Sequence, residues 1–176
     1  MEKRRSKFSG NNIRLQNDIA VISLYNIKNI KIAEAIVDID DLAKVSPYNW
    51  HLHGHGYAAR FTAPRLIHQL ILPAPKNKWI DHINGDKLDN RKKNLRLCSP
   101  SQSGMNVPVR CNNSSGVTGV YFHKFSKKWM ARITVGGKTI FLGKFKDFRK
   151  AMKVRLSAQE EYFGEFAYSK QVREND

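Results

Sequence analysis

Cysteine is nearly absent from this 176-residue chain, occurring only at Cys98 and Cys111. Two thiols without a C-x-x-C pair exclude a disulfide scaffold and a zinc ribbon, so no structural zinc is expected. Long apolar runs are missing as well. The longest, around LIHQLIL, is too short to cross a bilayer, and no apolar stretch follows the basic start MEKRRSKFSG as a secretory signal requires. These absences predict a cytoplasmic protein with no membrane partner. Acidic residues are scarce, 15 against 31 Lys and Arg, giving a net charge of +16 and a pI near 10.0.

Such an excess costs self-repulsion and points to a polyanionic partner, nucleic acid first. It is not confined to a tail. Residues 1–63 hold nine basic against six acidic side chains, residues 64–112 nine against three, and residues 113–176 thirteen against six. A spread of this kind predicts a long contact path. With 41% apolar residues the chain can still fold.

Residues 1–12 read as a disordered basic arm and residues 169–176 as a tail. Residues 13–63 alternate β-branched and aromatic residues in short runs and form a small β-rich module, with one short Asp-capped helix in VDIDDLAKVS. PRLIHQLILP reads as a helix over residues 64–73 with Pro64 at its first position. KWIDHI and LRLC are short strands around the polar loop NGDKLDNRKKN, and SPSQSGMN starts a helix capped by Ser99. Residues 109–113 are a turn-rich linker. Beyond it, three strands, the last two joined at Gly136-Gly137, precede a helix capped by Asp147 and stopped at Gly164. Phe148, Ala151, Met152, Ala158 and Tyr162 mark the apolar stripe of that helix. The fold class is α+β.

The acids Asp81, Asp86 and Asp89 crowd into this polar loop and its flank, and His82 sits beside the first. Hydrolysis of a phosphodiester needs an oxygen ligand for a hard cation, a base for water, and a scaffold for the base. Asp81 can supply the first, His82 the second, and Asn106 a neutral second ligand. Asn94 can bond loop backbone and space the two strands. Neighbours on a regular strand point to opposite faces, so Asp81 and His82 converge only if the strand is irregular or ends there.

The run DHINGDKLDNRKKNLRLCSPSQSGMN resembles the core of the HNH (ββα-metal) endonucleases, in the subgroup related to intron-homing enzymes. The resemblance runs over most of residues 64–107 and implies a central ββα-metal core, residues 64–108. It also implies Asp81 and Asn106 as metal ligands, His82 as general base and Asn94 as the loop-fixing residue. One Mg²⁺ or Mn²⁺ ion and products ending in 5′-phosphate and 3′-hydroxyl are implied as well. His68 is followed by Gln69 where relatives often carry arginine; with Arg91, Lys92, Lys93 and Arg96 it joins the expected DNA contacts.

Residues 114–168 resemble the APETALA/ethylene-response-factor type of DNA-binding domain, on SGVTGVYFHK, KKWMARI, LGKF and YFGEFA. Trp129, Ala131, Ile133 and Val135 should face the helix, leaving Met130, Arg132 and Thr134 with Tyr121 and His123 on the open face. Lys124, Lys127, Lys128 and Lys138 are expected on phosphates. His51, His53 and His55 alternate in HLHGHG, but with no acidic or thiol neighbour they read as exposed or phosphate-contacting residues; Trp50 and Tyr57 read as core.

Together these features predict a metal-dependent endonuclease acting on double-stranded DNA. One active site per chain cuts one strand, so double-strand cleavage needs a homodimer or a second binding event. Two alternatives share the charge: a non-catalytic repressor-like DNA-binding protein and a basic RNA-binding protein. Intact Asp81, His82 and Asn106 argue against the first, and the second gives His82 no role.

Overall fold

A computed structural model describes residues 10–168, so most of the basic arm and all of the tail lie outside the described residues. The chain divides into two compact units that meet between Ser99 and Pro100. Both combine small antiparallel sheets with short helices, a mixed architecture consistent with α+β.

The first unit opens with a meander of β1 (Ile13–Gln16), β2 (Ile19–Tyr25) and β3 (Lys31–Asp38). Alternation along β2 sends Ala20, Ile22 and Leu24 inward, where Ala35 and Val37 of β3 meet them. A short helix α1 (Leu42–Val45) and the two-stranded pair β4 (His51–Leu52) and β5 (Ala58–Ala59) follow. Next come helix α2 (Ile67–Ile71) and the hairpin β6 (Trp79–His82) and β7 (Leu95–Cys98). Val45, Trp50, Ala58, Ile67, Ile71 and Leu95 all join the core begun by the meander. Residues on both sides of position 64 therefore share one apolar interior. Backbone bonds add to this: the Ile36 N–H donates to the Leu88 carbonyl at 2.8 Å, and the Asn90 N–H to the Ile36 carbonyl at 2.7 Å. The edge of β3 is thus covered by the polar loop of the hairpin rather than left open.

Several local expectations change. Helix α2 starts at Ile67, not Pro64, because Arg60 holds the preceding turn. Its Nε donates to the Pro64 carbonyl at 2.7 Å and its Nη2 to that of Ala63 at 3.0 Å. Neither Asp38 nor Asp41 caps the turns before α1 through its side chain. Asp41 is instead fully buried and bridges Lys44 and Lys92. Asn11 is tied into the fold, its amide donating to the carbonyls of Ser23 and Trp50. Trp50 is core, as its neighbours imply, and its indole N–H donates to the Val45 carbonyl at 2.9 Å.

The second unit begins with α3 (Pro100–Ser103) and a turn-rich stretch. Strands β8 (Val120–His123), β9 (Lys128–Val135) and β10 (Lys138–Phe145) form a sheet of order β10-β9-β8, and α4 (Phe148–Phe163) packs on it. Val135 pairs with Lys138 across Gly136 and Gly137, whose φ angles of 55° and 80° give the positive pair that a tight two-residue hairpin demands. Asp147 accepts from the Lys150 N–H at 2.8 Å and caps α4, which stops at Gly164 with φ 50°. Ala131 and Ile133 face the helix and Trp129 packs on Phe148 at 4.7 Å. One stripe assignment changes, and one open-face residue is less exposed than its position implies. Tyr162 is exposed, while Arg155 and Gln159 are buried in the stripe; and Met130, though on the sheet face away from α4, is buried, with the Tyr121 hydroxyl 3.2 Å from its sulfur.

Candidate active site

The hairpin β6–β7 places the Asp-His pair. Its register sets Asp81 opposite Arg96 and His82 opposite Leu95, so the pairing stays regular until the strand ends at His82. Alternation then separates the two neighbours. Asp81 meets Arg96, whose Nε and Nη2 both donate to Asp81 Oδ2, at 2.9 and 2.7 Å. His82 turns inward and is 5% exposed.

Two aromatic rings from distant segments surround His82. The His68 ring stands edge-on at 5.0 Å between centroids, and the Tyr57 ring lies 6.0 Å away. His82 Nε2 lies 3.4 Å from Asn90 Oδ1. Burial pushes the His82 pKa below its usual value, opposed by the Asn90 contact and by the charges of Asp81, Asp86 and Asp89. His68 is displaced further: burial, with His82 beside it, takes it down to about 4. At neutral pH both imidazoles are uncharged. In the tautomer whose Nε2–H donates to Asn90 Oδ1, the lone pair of His82 is on Nδ1.

The loop is pinned by Asn94. Its Oδ1 accepts from the Asn84 N–H at 3.0 Å, and its Nδ2 donates to the Asp89 carbonyl at 2.7 Å. Asp86 Oδ1 caps the turn by accepting from the Leu88 N–H at 2.9 Å. Asp89 is buried and takes a two-nitrogen pair from Arg91 at 2.6 and 2.7 Å. The Arg91 guanidinium beside it holds its carboxyl below the usual range despite burial.

The expected DNA contacts fall into two groups. Arg91, Lys92 and Arg96 are engaged with Asp89, Asp41 and Asp81, and His68 is buried beneath His82, so none of the four is simply presented to a phosphate. Lys93, Lys124, Lys127, Lys138, Arg132, Thr134 and Tyr121 are exposed, and Lys128 is half-buried. Arg132 lies over the Tyr121 ring at 5.3 Å, Thr134 meets Thr139 at 3.1 Å, and His123 Nδ1 lies 2.8 Å from the Ser126 hydroxyl. Of the histidine run only His51 is on a strand, stacked on Phe61 at 4.8 Å; His53 Nδ1 accepts from the His55 N–H, which bends the run into a turn. Asn106 is buried in the second unit, just after α3.

Asn90, Arg96 as partner of Asp81, and the Tyr57–His68 wall were not assigned to the site from sequence. Only Asn90 and Arg96 had a local signal, in their nearness to the pair along the hairpin. Tyr57 and His68 become neighbours of His82 through the shared core.

A carboxylate beside an uncharged imidazole, on a pinned hairpin within a strongly basic chain, is equipment suited to a hydrolytic nuclease. Residues 72–105 match the family model described as HNH endonuclease. The chain is 30% identical over 140 residues to a protein of Acanthamoeba polyphaga mimivirus named as an uncharacterized HNH endonuclease, covering 76% of this chain and 72% of that one. It is 36% identical over 66 residues to Protein 3.8 of Escherichia phage T7, covering 38% of this chain and 54% of that one. No solved structure matches significantly. The chain belongs to the HNH endonuclease family.

Proposed function

We propose that the chain is a divalent-metal-dependent endonuclease of double-stranded DNA, with His82 as general base and Asp81 and Asn106 as metal ligands. The observation that carries this reading is the inward, uncharged His82 beside Asp81 on a hairpin fixed by Asn94, inside the matched segment.

The donor set suits a hard cation. Asp81 and Asn106 offer carboxylate and amide oxygens, and among the described residues no group of three or more His, Cys, Asp or Glu is arranged to hold a metal. Two such oxygen donors would suit a hard cation of the Mg²⁺ or Mn²⁺ kind. When bound, it supplies charge stabilisation at the phosphate and the leaving 3′ oxygen. His82 takes a proton from the attacking water at Nδ1, while Asn90 holds Nε2 and His68 and Tyr57 exclude solvent from the ring. The water oxygen bonds to phosphorus as the bond to the 3′ oxygen breaks, and that oxygen takes a proton from bulk water to become a 3′-hydroxyl, while His82 returns its proton to solvent. Asn94 keeps the loop at the spacing this geometry requires.

The second unit serves as an APETALA/ethylene-response-factor-like DNA-binding domain, with Lys124, Lys127, Lys128 and Lys138 on phosphates and Arg132, Thr134 and Tyr121 on the exposed sheet face. One site per chain makes a nick the basic event; a double-strand break needs a homodimer or a second encounter.

The test is supercoiled plasmid incubated with Mg²⁺ or Mn²⁺ and with chelator, beside His82→Ala. Metal-dependent relaxation by wild type and its loss in the variant are expected. Intact plasmid with either ion across several target-bearing substrates, or equal cutting by His82→Ala, refutes the assignment.

A further inference from the structure

Within the first unit lies a cavity of about 700 Å³ lined by His51, His53, His55, Tyr57, Phe61 and Arg65, among others. That is within the range of small-ligand pockets. Its most exposed aromatic is Phe61, whose ring stacks on His51 at 4.8 Å with 24° between the planes. Phe61 is nevertheless 90% exposed, so the other face of its ring is open. The turn that carries it is fixed from beneath. Arg60 is buried, binds the carbonyls of Ala63 and Pro64, and sets its guanidinium carbon 3.6 Å from the centre of the Tyr48 ring. An open aromatic face on a fixed turn is a platform for a second flat ring. No acidic side chain is among the described residues that line the cavity, and no carboxylate among them forms an ion pair with the exposed Arg65.

The cavity adjoins the candidate active site through Tyr57. This residue lines the cavity, and its ring lies 5.2 Å from that of His68 and 6.0 Å from that of His82. Lys87, from the hairpin loop that follows His82, lies 4.8 Å over the same ring, and its Nζ donates to the His55 carbonyl at 2.9 Å. The histidine turn and the hairpin loop are thus tied together across Tyr57. The three histidines are not grouped to hold a metal. A guest that stacks on an aromatic ring, carries negative charge and lies beside a phosphodiester-cutting centre is a nucleotide.

We propose that this cavity receives one unpaired base of the substrate DNA near the scissile phosphate, with the open face of Phe61 as its stacking platform. The choice of DNA rests on the nuclease reading. The preference for an unpaired base is a binding property and does not depend on cleavage.

The test measures binding of the full-length protein, in chelator and without divalent metal, to three short fluorescent duplexes. One is fully paired, one carries a single unpaired thymidine, and one carries an unpaired abasic nucleotide at the same place. A base that is already unpaired costs least to draw out of the stack. Wild type should bind the thymidine bulge about fivefold or more tighter than the paired duplex, the scale of one base–aromatic stack, and the abasic bulge no better than the paired one. Phe61→Ala should abolish the preference and Phe61→Trp should keep it. Because Phe61 is 90% exposed, thermal unfolding of both variants should match wild type. Equal wild-type affinity for the thymidine bulge and the paired duplex, or a preference that survives Phe61→Ala, overturns the base pocket. Equal binding of abasic and thymidine bulges overturns it in favour of recognition of a kink. Equal weakening of all three duplexes by Phe61→Ala overturns it in favour of a general DNA contact. Failure of the nuclease reading appears as uncut plasmid and does not alter the ratio between the duplexes.

Discussion

His68 is buried uncharged against His82, and folding therefore lowers its affinity for a proton. Its pKa falls from 6.5 to about 4 as the ring enters the core, so between those values the unfolded chain binds a proton that the folded chain refuses. Stability from this group is complete above pH 6.5 and is lost as the pH falls toward 4. Integrating the difference gives a loss of about 2 kcal/mol by pH 5 and about 3 kcal/mol by pH 4, at roughly 1.4 kcal/mol per pKa unit. His68→Phe removes the titration while keeping an aromatic ring against Tyr57 and His82. Its larger ring costs up to about 3 kcal/mol by overpacking, but that cost does not vary with pH. The assay is urea unfolding of both proteins at intervals from pH 4.5 to 7.5, scored by the difference between them. Wild type should lose stability on acidification faster than the variant, the gap changing by about 2 kcal/mol between pH 7.5 and 5. The lowered pKa of His82 acts in the same direction in both proteins and so largely cancels. A pH-independent gap would refute a buried neutral His68, and with it the dry wall behind His82.

Asn94→Ala leaves the Asn84 N–H and the buried Asp89 carbonyl without their partner, which should cost roughly 2–4 kcal/mol in urea unfolding at pH 7.5. A loss below that of an ordinary surface substitution would mean that the loop is not fixed by this amide. Arg96→Gln removes the cation bound to Asp81, so Mn²⁺ should bind at least about threefold more tightly by calorimetry, even as thermal stability falls. Unchanged or weaker Mn²⁺ binding would count against Asp81 as a ligand. Replacing Lys124, Lys127, Lys128 and Lys138 together by Gln should flatten the salt dependence of DNA binding, by about one unit of slope for each phosphate that a lysine no longer neutralises. An unaltered slope would place the DNA path elsewhere.

The parts of the fold that were legible in the sequence are those specified locally. The strands Trp79–His82 and Leu95–Cys98 were readable because short apolar runs flank an Asn-Gly turn, and α4 because Asp147 and Gly164 mark its ends. Gly136-Gly137 announced its hairpin in the same way. What was not legible depends on long-range packing. The β-rich segment and the hairpin segment read as separate modules, but Leu95 and Ile67 complete the same core as Ile22 and Val37. No periodicity reports that two amphipathic pieces choose each other. The basic residues show the same limit: Arg91, Lys92 and Arg96 read as DNA contacts. Register and proximity instead pair them with Asp89, Asp41 and Asp81, so much of the hairpin's positive charge is internally neutralised.

That neutralisation clarifies the adjacent Asp81 and His82. Strand alternation forbids two neighbours from sharing one face, and β6 obeys it up to His82, where the strand ends. The two side chains therefore receive opposite surroundings from consecutive positions. One meets the Arg96 guanidinium, and the other is kept uncharged by burial against His68. One flat surface serves an uncharged imidazole and a carboxylate poorly, since the desolvation that suits the first raises the pKa of the second. Placing them on opposite faces of a strand end gives each its own surroundings, the Arg96 guanidinium for Asp81 and the buried His68 ring for His82.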